Sequence, residues 1–389
     1  MTTIGSISRD TTAFSPSTDA LAAEFVRELV ATRSVSGEEA QAVAVFVEHA
    51  RRLGFRTEID EAGNGHAVRR GVQAPGMSGS VAEREIVLLG HIDTVPGEIV
   101  VHMEEGVLHG RGTVDAKGPL AAMLHAAARA EVCEGVLLRV IAAVGEETPR
   151  SAGARLVAER LRPAACVIGE PSGWDGVTLG YKGRLVVRAV ARREGGHSAG
   201  PTSSACDAAL AFWSACVREV ETKNEGRSGA FEVIQAGVRE MHSESDGLHD
   251  RASLTVGFRL PRWIGPSELE TVVREIAGRH GVDATFEGHE TAHASDRNDT
   301  VVRALSAAIR SEGGVPRPKL KTGTSDMNVV APVWGCAIAA YGPGDSMLDH
   351  TPRERLEIAE YLRSIRVLAA ALGSLSREIC EAEREGRAR

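Results

Sequence analysis

The chain has 389 residues, of which 43% are hydrophobic, 25% are charged and only 4% are aromatic. This composition is typical of a folded globular protein and excludes collagen, coiled-coil and largely disordered chains. The length predicts two domains, or one large domain that carries an insertion. The net charge of −8 argues against a nucleic-acid partner, because general nucleic-acid-binding proteins are normally basic.

The sequence also predicts where the protein works. It contains no apolar run near the roughly 18 residues that cross a bilayer, so we expect no membrane partner. Residues 1–18 form a polar N-terminal segment without the apolar core of a secretory signal. The six cysteines are scattered and form no Cys-x-x-Cys pair, which is typical of thiols in a reducing cytosol. We therefore predict a cytoplasmic protein.

Helical and strand patterns alternate over the first half of the chain. Apolar residues recur every four positions over 19–32 and predict a helix. Ser36 and Glu39 form a capping-box pattern that predicts a second helix, ending near Arg52. The elements that follow are strands at 85–89, 135–144 and 165–169 and helices at 117–131 and 151–161. This alternation predicts an α/β layer with a largely parallel sheet.

The pattern changes at Thr178, where a long alternating stretch predicts one antiparallel strand over 178–192. The next predicted elements are a helix at 204–221, strands near 230–239 and 252–260, a helix at 266–279 and a strand at 284–292. The earlier alternation resumes with a helix at 300–312, a strand at 336–341 and a helix at 353–372.

These patterns together predict an α/β fold built from two domains. The larger domain has a mixed, mainly parallel sheet and spans 19–181 and 296–389. A smaller α+β domain is inserted over 182–295, with hinges near Lys182 and residues 293–297.

Five segments place acidic or histidine side chains just after an apolar strand. They are LLGHIDTVPG (88–97), GRGTVDAKGPLAAM (110–123), VGEETPRSAGA (144–154), VIGEPSG (167–173) and LDHTP (348–352). In an open parallel sheet, ligands bind beyond the carboxyl ends of the strands. We therefore expect the following side chains to converge on one rim: His91, Asp115, Glu146, Glu147, Glu170 and His350.

Such a rim favours a metal site. Crowded carboxylates repel one another unless a cation lies among them, and two histidines with carboxylates suit zinc. Five candidate ligands exceed the needs of one tetrahedral ion and fit two ions that share a bridging carboxylate. Each residue alone would more often be a helix cap or a solvated turn residue, but the five strand-end positions together favour the metal site.

The same segments resemble a known family. The motifs are His91-Ile-Asp93-Thr-Val-Pro, Gly-Arg-Gly-x-x-Asp115-x-Lys-Gly, Gly145-Glu146-Glu147, Gly169-Glu170-Pro and Asp349-His350-Thr-Pro. As a set they resemble the motifs of the ArgE/DapE/LysK-type di-zinc amidohydrolases, a family that also contains aminoacylases and zinc carboxypeptidases. The resemblance covers nearly the whole chain after about residue 20.

The resemblance implies a ligand set for two zinc ions, which cobalt or manganese could replace. His91 and Glu170 would hold one ion, and Glu147 and His350 would hold the other. Asp115 would bridge the two ions. On this basis the larger domain is a catalytic zinc domain, and the inserted domain is a lid and dimerisation domain.

The resemblance also implies roles for residues that hold no metal. Asp93 would orient the His91 ring, and Glu146 would be the general base. His197 would donate a hydrogen bond to the oxyanion, and in the family the equivalent histidine comes from the partner chain of a homodimer.

Three further residues are candidates for binding the substrate. Arg259, in the segment GFRLP, would bind the substrate's carboxylate in bidentate fashion, although a strand-end arginine is also a common surface charge. Gly323 and Thr324 would offer backbone and hydroxyl contacts.

Within the family, three segments most resemble LysK. They are Val-Gly-Glu-Glu-Thr, Lys321-Thr-Gly-Thr-Ser-Asp-Met-Asn and Tyr341-Gly-Pro-Gly-Asp345 with the Asp349-His350-Thr-Pro motif. LysK members release lysine or ornithine from an acidic amino-group carrier protein of the LysW type, or from an N-acetyl form. The resemblance thus implies a carrier-dependent hydrolase, with an N-acetyl-lysine or N-acetyl-ornithine deacetylase, or a dipeptidase, as the alternative.

The carrier alternative adds one surface to the prediction. Arg317, Lys319 and Lys321 precede the Thr-Gly-Thr-Ser-Asp loop and could contact an acidic carrier protein. A basic run this short is more often a solvated loop.

Two other classes of function stay open. Gly196-His197-Ser198-Ala199-Gly200 fits the G-x-S-x-G pattern of serine hydrolases, with Ser198 as the nucleophile. That pattern is short, lies in the inserted domain and leaves the carboxylates unexplained. A non-enzymatic scaffold that has lost its metals is the other alternative, and the full ligand set together with Glu146 argues against it.

Overall fold

The computed structural model describes residues 16–71, 84–197 and 203–387. In chain order, these residues form α1 (Pro16–Ala31), α2 (Ala40–Arg52), β1 (Arg56–Ile59), β2 (Gly65–Arg70), β3 (Arg84–His91), β4 (His102–Glu104), β5 (Val107–His109), α3 (Lys117–Arg129), β6 (Val136–Ala143), α4 (Ala152–Arg160), β7 (Ala165–Gly169), β8 (Gly176–Tyr181), β9 (Gly183–Glu194), α5 (Ala205–Asn224), β10 (Gln235–Ser245), β11 (His249–Leu260), α6 (Pro266–His280), β12 (Val282–Glu290), β13 (His293–Ala294), α7 (Thr300–Ser311), β14 (Arg317–Lys321), α8 (Asp326–Trp334), β15 (Ala337–Ala340), a 3-10 turn (Ser346–Leu348), β16 (Arg355–Glu357) and α9 (Ile358–Arg387). Within the described ranges, no helix combines the length and the apolar character that crossing a membrane requires.

The largest sheet confirms the predicted fold class. Its strand order is β1-β2-β6-β3-β7-β15-β8-β13, with β14 beside β8. The central strands β6, β3, β7 and β15 run parallel, and β1, β2 and β13 add antiparallel pairs at the two sides. Because β3, β6 and β7 are parallel neighbours, their carboxyl ends open on one edge of the sheet.

Helices cover both faces of this sheet, and β3 shows why. Successive side chains of a strand point to opposite faces. Ile86 and Leu88 enter the core that packs under α1, α2, α3, α7 and α9, whereas Val87 and Leu89 enter the core under α4 and α8. The run EIVLL is therefore apolar throughout because both of its faces are buried.

A second sheet, ordered β10-β11-β9-β12, is antiparallel throughout. Its strands and the helices α5 and α6 surround a separate core that includes Leu185, Val187 and Phe258. We call residues 183–290, which form this sheet and its two helices, the antiparallel layer. The boundaries proposed from the sequence, 182–295, stay a prediction.

The structure corrects the strand predicted over 178–192. That stretch forms two strands, β8 in the large sheet and β9 in the second sheet, which meet at Lys182. The Nζ of Lys182 donates to the carbonyl oxygen of Ala230 (2.8 Å) and to Oε1 of Gln235 (3.0 Å). The alternating pattern continues through the junction, so it gave no sign that the chain changes sheets there.

The capping box predicted at Ser36 and Glu39 is wrong. Helix α2 begins at Ala40 with no side-chain cap, and the Glu39 carboxylate accepts from the backbone N–H of Gly37. The Ser36 hydroxyl instead donates to Oδ2 of Asp93 at 2.7 Å. The contact links this loop to the end of β3.

Helix α8, which the sequence pattern did not predict, joins the two sheets. Ser325 caps its first turn, and the Asn328 side chain completes a capping box. The Nδ2 of Asn328 also donates to the carbonyl oxygens of Lys182 (3.2 Å) and Thr291 (2.7 Å). These two residues lie at the two points where the chain enters and leaves the antiparallel layer, so one side chain is bonded to both connections.

Candidate active site

The predicted rim residues converge at the carboxyl edge of the large sheet. His91 ends β3, the Glu146–Glu147 pair follows β6, and Glu170 follows β7. Asp115 immediately precedes α3, and His350 follows the 3-10 turn. A cavity of about 640 Å³ opens here and is lined by Asp115, Glu146, Glu147, Glu170 and His350.

Asp115 lies between the two histidines. Its Oδ1 is 3.1 Å from Nε2 of His91, and its Oδ2 is 3.0 Å from Nε2 of His350. His350 Nε2 is also 3.0 Å from Oε1 of Glu147, and His91 Nε2 is 4.0 Å from Oε1 of Glu170. Each oxygen of Asp115 therefore faces a different pair of predicted ligands.

Asp93 lies beneath this cluster and positions the residues around it by hydrogen bonds. Its carboxylate is fully buried and accepts from the Ser36 hydroxyl and from the backbone N–H groups of Glu146 and Glu147, each N–H at 3.1 Å. The Nδ1 of His91 donates to the backbone carbonyl of Asp93 at 3.0 Å. That bond fixes the ring with Nε2 directed at Asp115, the orientation in which Nε2 would be available to a metal ion.

Glu354 positions the loop that carries Asp115, and sequence reasoning missed it. Its Oε1 accepts from the backbone N–H groups of Val114 (3.0 Å) and Asp115 (3.1 Å). Its Oε2 pairs with Arg111 at 2.8 Å. Nothing in the local sequence distinguishes this glutamate from an exposed residue in the first turn of a helix.

The charges of the cluster fit a divalent cation. Burial raises the pKa of Glu146 well above its usual value, and burial with the charge of Asp115 raises the pKa of Glu170 to about 8. Burial and the Asp115 charge also raise the pKa of Asp349 to about 9, and its buried Oδ1 has no hydrogen-bond partner. Two imidazoles and several crowded carboxylates are a donor set that a cation would neutralise.

The antiparallel layer supplies the opposite wall of the cavity. Arg184, Arg239 and Arg259 lie there, and Gly323 and Thr324 line the cavity beside them. Nη1 of Arg259 donates to Oγ1 of Thr324 at 2.6 Å. Burial and the charges of Arg239 and Arg184 lower the pKa of Arg259 to about 10. The three candidate substrate contacts thus lie together, facing the carboxylates.

Two other predicted residues lie elsewhere. His197 follows the end of β9, is exposed and does not line this cavity of its own chain. Ser198, the nucleophile of the serine-hydrolase alternative, falls outside the described residues.

The basic run before the Thr-Gly-Thr-Ser-Asp loop has partners within the chain. Nζ of Lys319 donates to the carbonyl of Ser172 at 2.6 Å, and Nζ of Lys321 donates to the carbonyl of Pro171 at 2.5 Å. Arg317 pairs with Asp175. These contacts hold β14 against the loop that follows β7, so the three side chains do not form a free basic surface.

A second group of potential metal ligands lies on the β4–β5 hairpin. His102, Glu104 and His109 offer ligand atoms within 4.8 Å of one another, and the two imidazole rings stack with centroids 4.5 Å apart. His102 and His109 are paired across the hairpin, so they share its outer face with Glu104. None of the sequence motifs described above includes these three residues.

Comparisons with known proteins agree with this geometry. The model of Peptidase family M20/M25/M40 matches residues 87–374. The LysW-lysine hydrolase of Deinococcus radiodurans is 45% identical over 92% of this chain and 99% of its own length. A putative LysW-lysine/LysW-ornithine hydrolase of Thermococcus kodakarensis is 37% identical over 90% of this chain and 91% of its own length.

Solved structures share the fold at low sequence identity. An M20 family metallo-carboxypeptidase of Sulfolobus solfataricus has a TM-score of 0.73 at 16% identity, covering 91% of this chain and 99% of its own. A tripeptidase of Staphylococcus aureus has a TM-score of 0.72 at 18% identity, covering 92% of this chain and 99% of its own. The predicted resemblance is thereby confirmed: the chain belongs to Peptidase family M20/M25/M40 and is a metal-dependent hydrolase of amide bonds.

Proposed function

We propose that this protein releases lysine or ornithine from an amino-group carrier protein of the LysW type by hydrolysing an amide bond. The observation that carries the proposal is the 45% identity to a LysW-lysine hydrolase over 92% of the chain. The cavity supports it, because it sets a cluster of carboxylates and histidines opposite cationic groups that suit a carboxylated substrate.

We propose that two zinc ions occupy the cluster. His91 and Glu170 would hold one ion, Glu147 and His350 the other, and Asp115 both, which its contacts of 3.1 and 3.0 Å to the two histidines support. When bound, the ions supply Lewis-acid chemistry that polarises the amide carbonyl and makes a water more acidic.

The protein's own residues would handle the proton and the substrate. Glu146 lines the cavity, and its raised pKa lets it keep a proton taken from water until the leaving amine accepts it. Arg259, held by Thr324, would bind the carboxylate of the released amino acid. Asp93 would hold His91 and the Glu146–Glu147 turn in place.

We also propose a homodimer in which His197 reaches the cavity of the partner chain. Two observations support it: His197 is exposed and outside its own cavity, and β10 is a long edge strand whose only partner among the described strands is β11. Val238 and Met241 are exposed on that strand, and an unprotected edge with apolar side chains invites pairing. The scattered cysteines support a cytoplasmic location.

The test is mass-spectrometric detection of free lysine and ornithine. The zinc-loaded protein is offered the carrier-linked amino acids, N-acetyl-lysine and N-acetyl-ornithine side by side. We expect release from the carrier-linked forms. Release only from the acetyl forms would replace the proposal with a deacetylase. A serine-directed phosphonate that abolishes activity, while chelators do not, would revive the alternative based on Ser198.

Metal content is measured separately. Elemental analysis of the zinc-loaded protein should give about two ions per chain. His109→Ala removes the exposed ligand group on the hairpin, so a count of two that persists in this variant assigns both ions to the cavity. One ion in the variant would contradict the two-ion site.

A further inference from the structure

The cavity contains an arginine whose placement depends on a break in the strand pairing. Val238 pairs with Val256 and Glu240 pairs with Thr255, so Arg239 is an extra residue in β10. Such a β-bulge re-aims a side chain, and bulges are common beside active sites. Arg239 lines the cavity that holds the carboxylate and histidine cluster.

Gly257 on the neighbouring strand makes room for this side chain. A Cβ atom at Gly257 would lie 2.6 Å from Nε of Arg239, which is closer than such atoms approach. Gly257 and Arg259 are two residues apart on β11 and therefore share one face, and Arg184 pairs directly with Arg259. The Arg239 guanidinium thus occupies the space left by the missing side chain of Gly257. The sheet face around it already carries Arg184 and Arg259.

The charges on this face are not balanced. Arg184 pairs with Glu290 at 3.1 Å, and Arg259 donates to Thr324. Arg239, in contrast, has no hydrogen bond or ion pair to any of the described residues. Burial and the charge of Arg184 lower the pKa of Arg239. A guanidinium beside two others, without a counter-charge, is suited to an anionic group of a ligand.

The separation of the arginines suits a ligand that is charged at both ends. The Arg239 guanidinium lies at Gly257, two residues along β11 from Arg259, which is a spacing of about 7 Å along the strand. An amide with one carboxylate on its amino-acid half and another on its acyl half spans such a distance.

We propose that Arg239 forms a second carboxylate subsite that binds an anionic group on the acyl half of the substrate, while Arg259 binds the carboxylate of the released amino acid. The inference rests on the proposed function and deepens it. An acidic carrier can place a carboxylate beside the amide, whereas an acetyl group has none to offer. Arg239 therefore selects carboxylated acyl groups over simple ones.

The test uses two ligands that are matched in length. Nα-succinyl-lysine carries a terminal carboxylate on the acyl half where Nα-butanoyl-lysine carries a methyl group. Titration calorimetry measures both dissociation constants on the zinc-loaded protein, with Glu146→Gln present throughout to prevent turnover. We expect succinyl-lysine to bind about 10–100-fold more tightly than butanoyl-lysine, the gain expected of a charged hydrogen-bonded pair.

Three variants locate this preference. Arg239→Met should remove it by weakening the binding of succinyl-lysine to about that of butanoyl-lysine. Gly257→Ala keeps the arginine but displaces it, and should weaken the preference in the same direction. Arg251→Met is the matched control, because Arg251 lies on the same hairpin and pairs with Glu244. Equal affinities for the two ligands in the parent protein, or a preference that survives in Arg239→Met, would overturn the proposal.

Failure of the subsite and failure of the proposed function are distinguishable. If the protein releases lysine from the carrier but Arg239→Met keeps the preference, the function stands and the subsite is wrong. If no carrier-linked lysine is released but the preference depends on Arg239, the subsite stands and the substrate is another carboxylated acyl-amino acid.

Discussion

Glu146 and Glu147 are adjacent, yet their surroundings give them different tasks. His350 lies 3.0 Å from the Glu147 carboxylate. The Glu146 carboxylate has no hydrogen bond to any described residue, faces the cavity and has a pKa that burial raises well above the usual value. A carboxyl group with these properties suits proton transfer, whereas a paired carboxylate suits metal binding.

We therefore predict that Glu146→Gln lowers kcat by about 10²–10⁴-fold, because the amide keeps the shape but cannot accept a proton. The zinc content and the affinity for substrate should change little. Steady-state kinetics and elemental analysis check this. Glu159→Gln, at an exposed position on α4, is the control and should behave as the wild type. Loss of zinc in Glu146→Gln would instead identify Glu146 as a ligand.

Ser36 supports the candidate metal ligands indirectly, through Asp93. Its hydroxyl donates to Asp93, which in turn holds His91 and the backbone of Glu146. We predict that Ser36→Ala weakens zinc affinity by about 10-fold, which is typical when a partner of a metal ligand is lost. Competition against a chelating dye measures the affinity. Activity that returns to the wild-type level at saturating zinc would show a positioning role; an unchanged affinity would contradict the prediction.

The metal-ligand candidates were predictable from the sequence, and their supporting residues were not. His91, Glu147 and Glu170 each follow an apolar strand, so chain order alone placed them on one rim. Ser36 and Glu354 act through partners 57 and 239–240 residues away in the chain. Contacts at such separations leave no local pattern, and the capping-box pattern at Ser36 pointed to a different role.

At the scale of helices, α1, α2 and α3 meet around a buried pair of histidines. Nε2 of His49 lies 3.1 Å from Nε2 of His125, and the Phe25 ring stacks on His49 with centroids 3.8 Å apart. One ring must donate and the other accept, so the accepting ring is neutral and the two rings cannot both be protonated. Burial lowers the pKa of His49 to about 4 and that of His125 to about 3.

This pair should make the protein sensitive to acid. A histidine near pKa 6.5 in the unfolded chain and near 3 in the folded one favours folding above pH 6.5, and this stability is lost as the pH falls below 6.5. For His125 the loss at pH 5 is about 2 kcal/mol. We predict that the melting temperature of the double variant His49→Leu/His125→Leu falls less from pH 7.5 to pH 5 than the melting temperature of the wild type does. Parallel losses would contradict the prediction.

Local patterns predicted the long helices and buried strands but not the connections between layers. The alternation across Lys182 was continuous, although the chain changes sheets there. Helix α8 has only nine residues and contains Pro332, so it lacks a long helical period. The exposed strand β1 and the three-residue strand β16 are too short or too polar to show a pattern.

For the whole molecule, the proposed homodimer predicts complementation between two inactive variants. His197→Ala should lower kcat by about 10²–10³-fold, as expected for loss of an oxyanion donor. Mixed with Glu146→Gln and allowed to exchange subunits, it should regain activity, because one site of each heterodimer then receives both residues. About a quarter of the wild-type sites should be restored.

Sedimentation and the single variants are the controls for this mixing experiment. The wild type should sediment as a dimer, and each variant mixed with wild type should show activity in proportion to the wild-type chains present. Activity of the double mixture that stays at the level of the separate variants would show that His197 does not act in the partner's site.

Asn328 has a consequence for how the cavity is connected to the two sheets. Because its amide is bonded at both places where the chain passes between them, both connections are held against the first turn of α8. The loop that leads into that turn contains Gly323 and Thr324, and Thr324 is bonded to Arg259. Under the proposed function, a carboxylate bound by Arg259 would therefore be connected through Thr324 to the residues that link the two sheets.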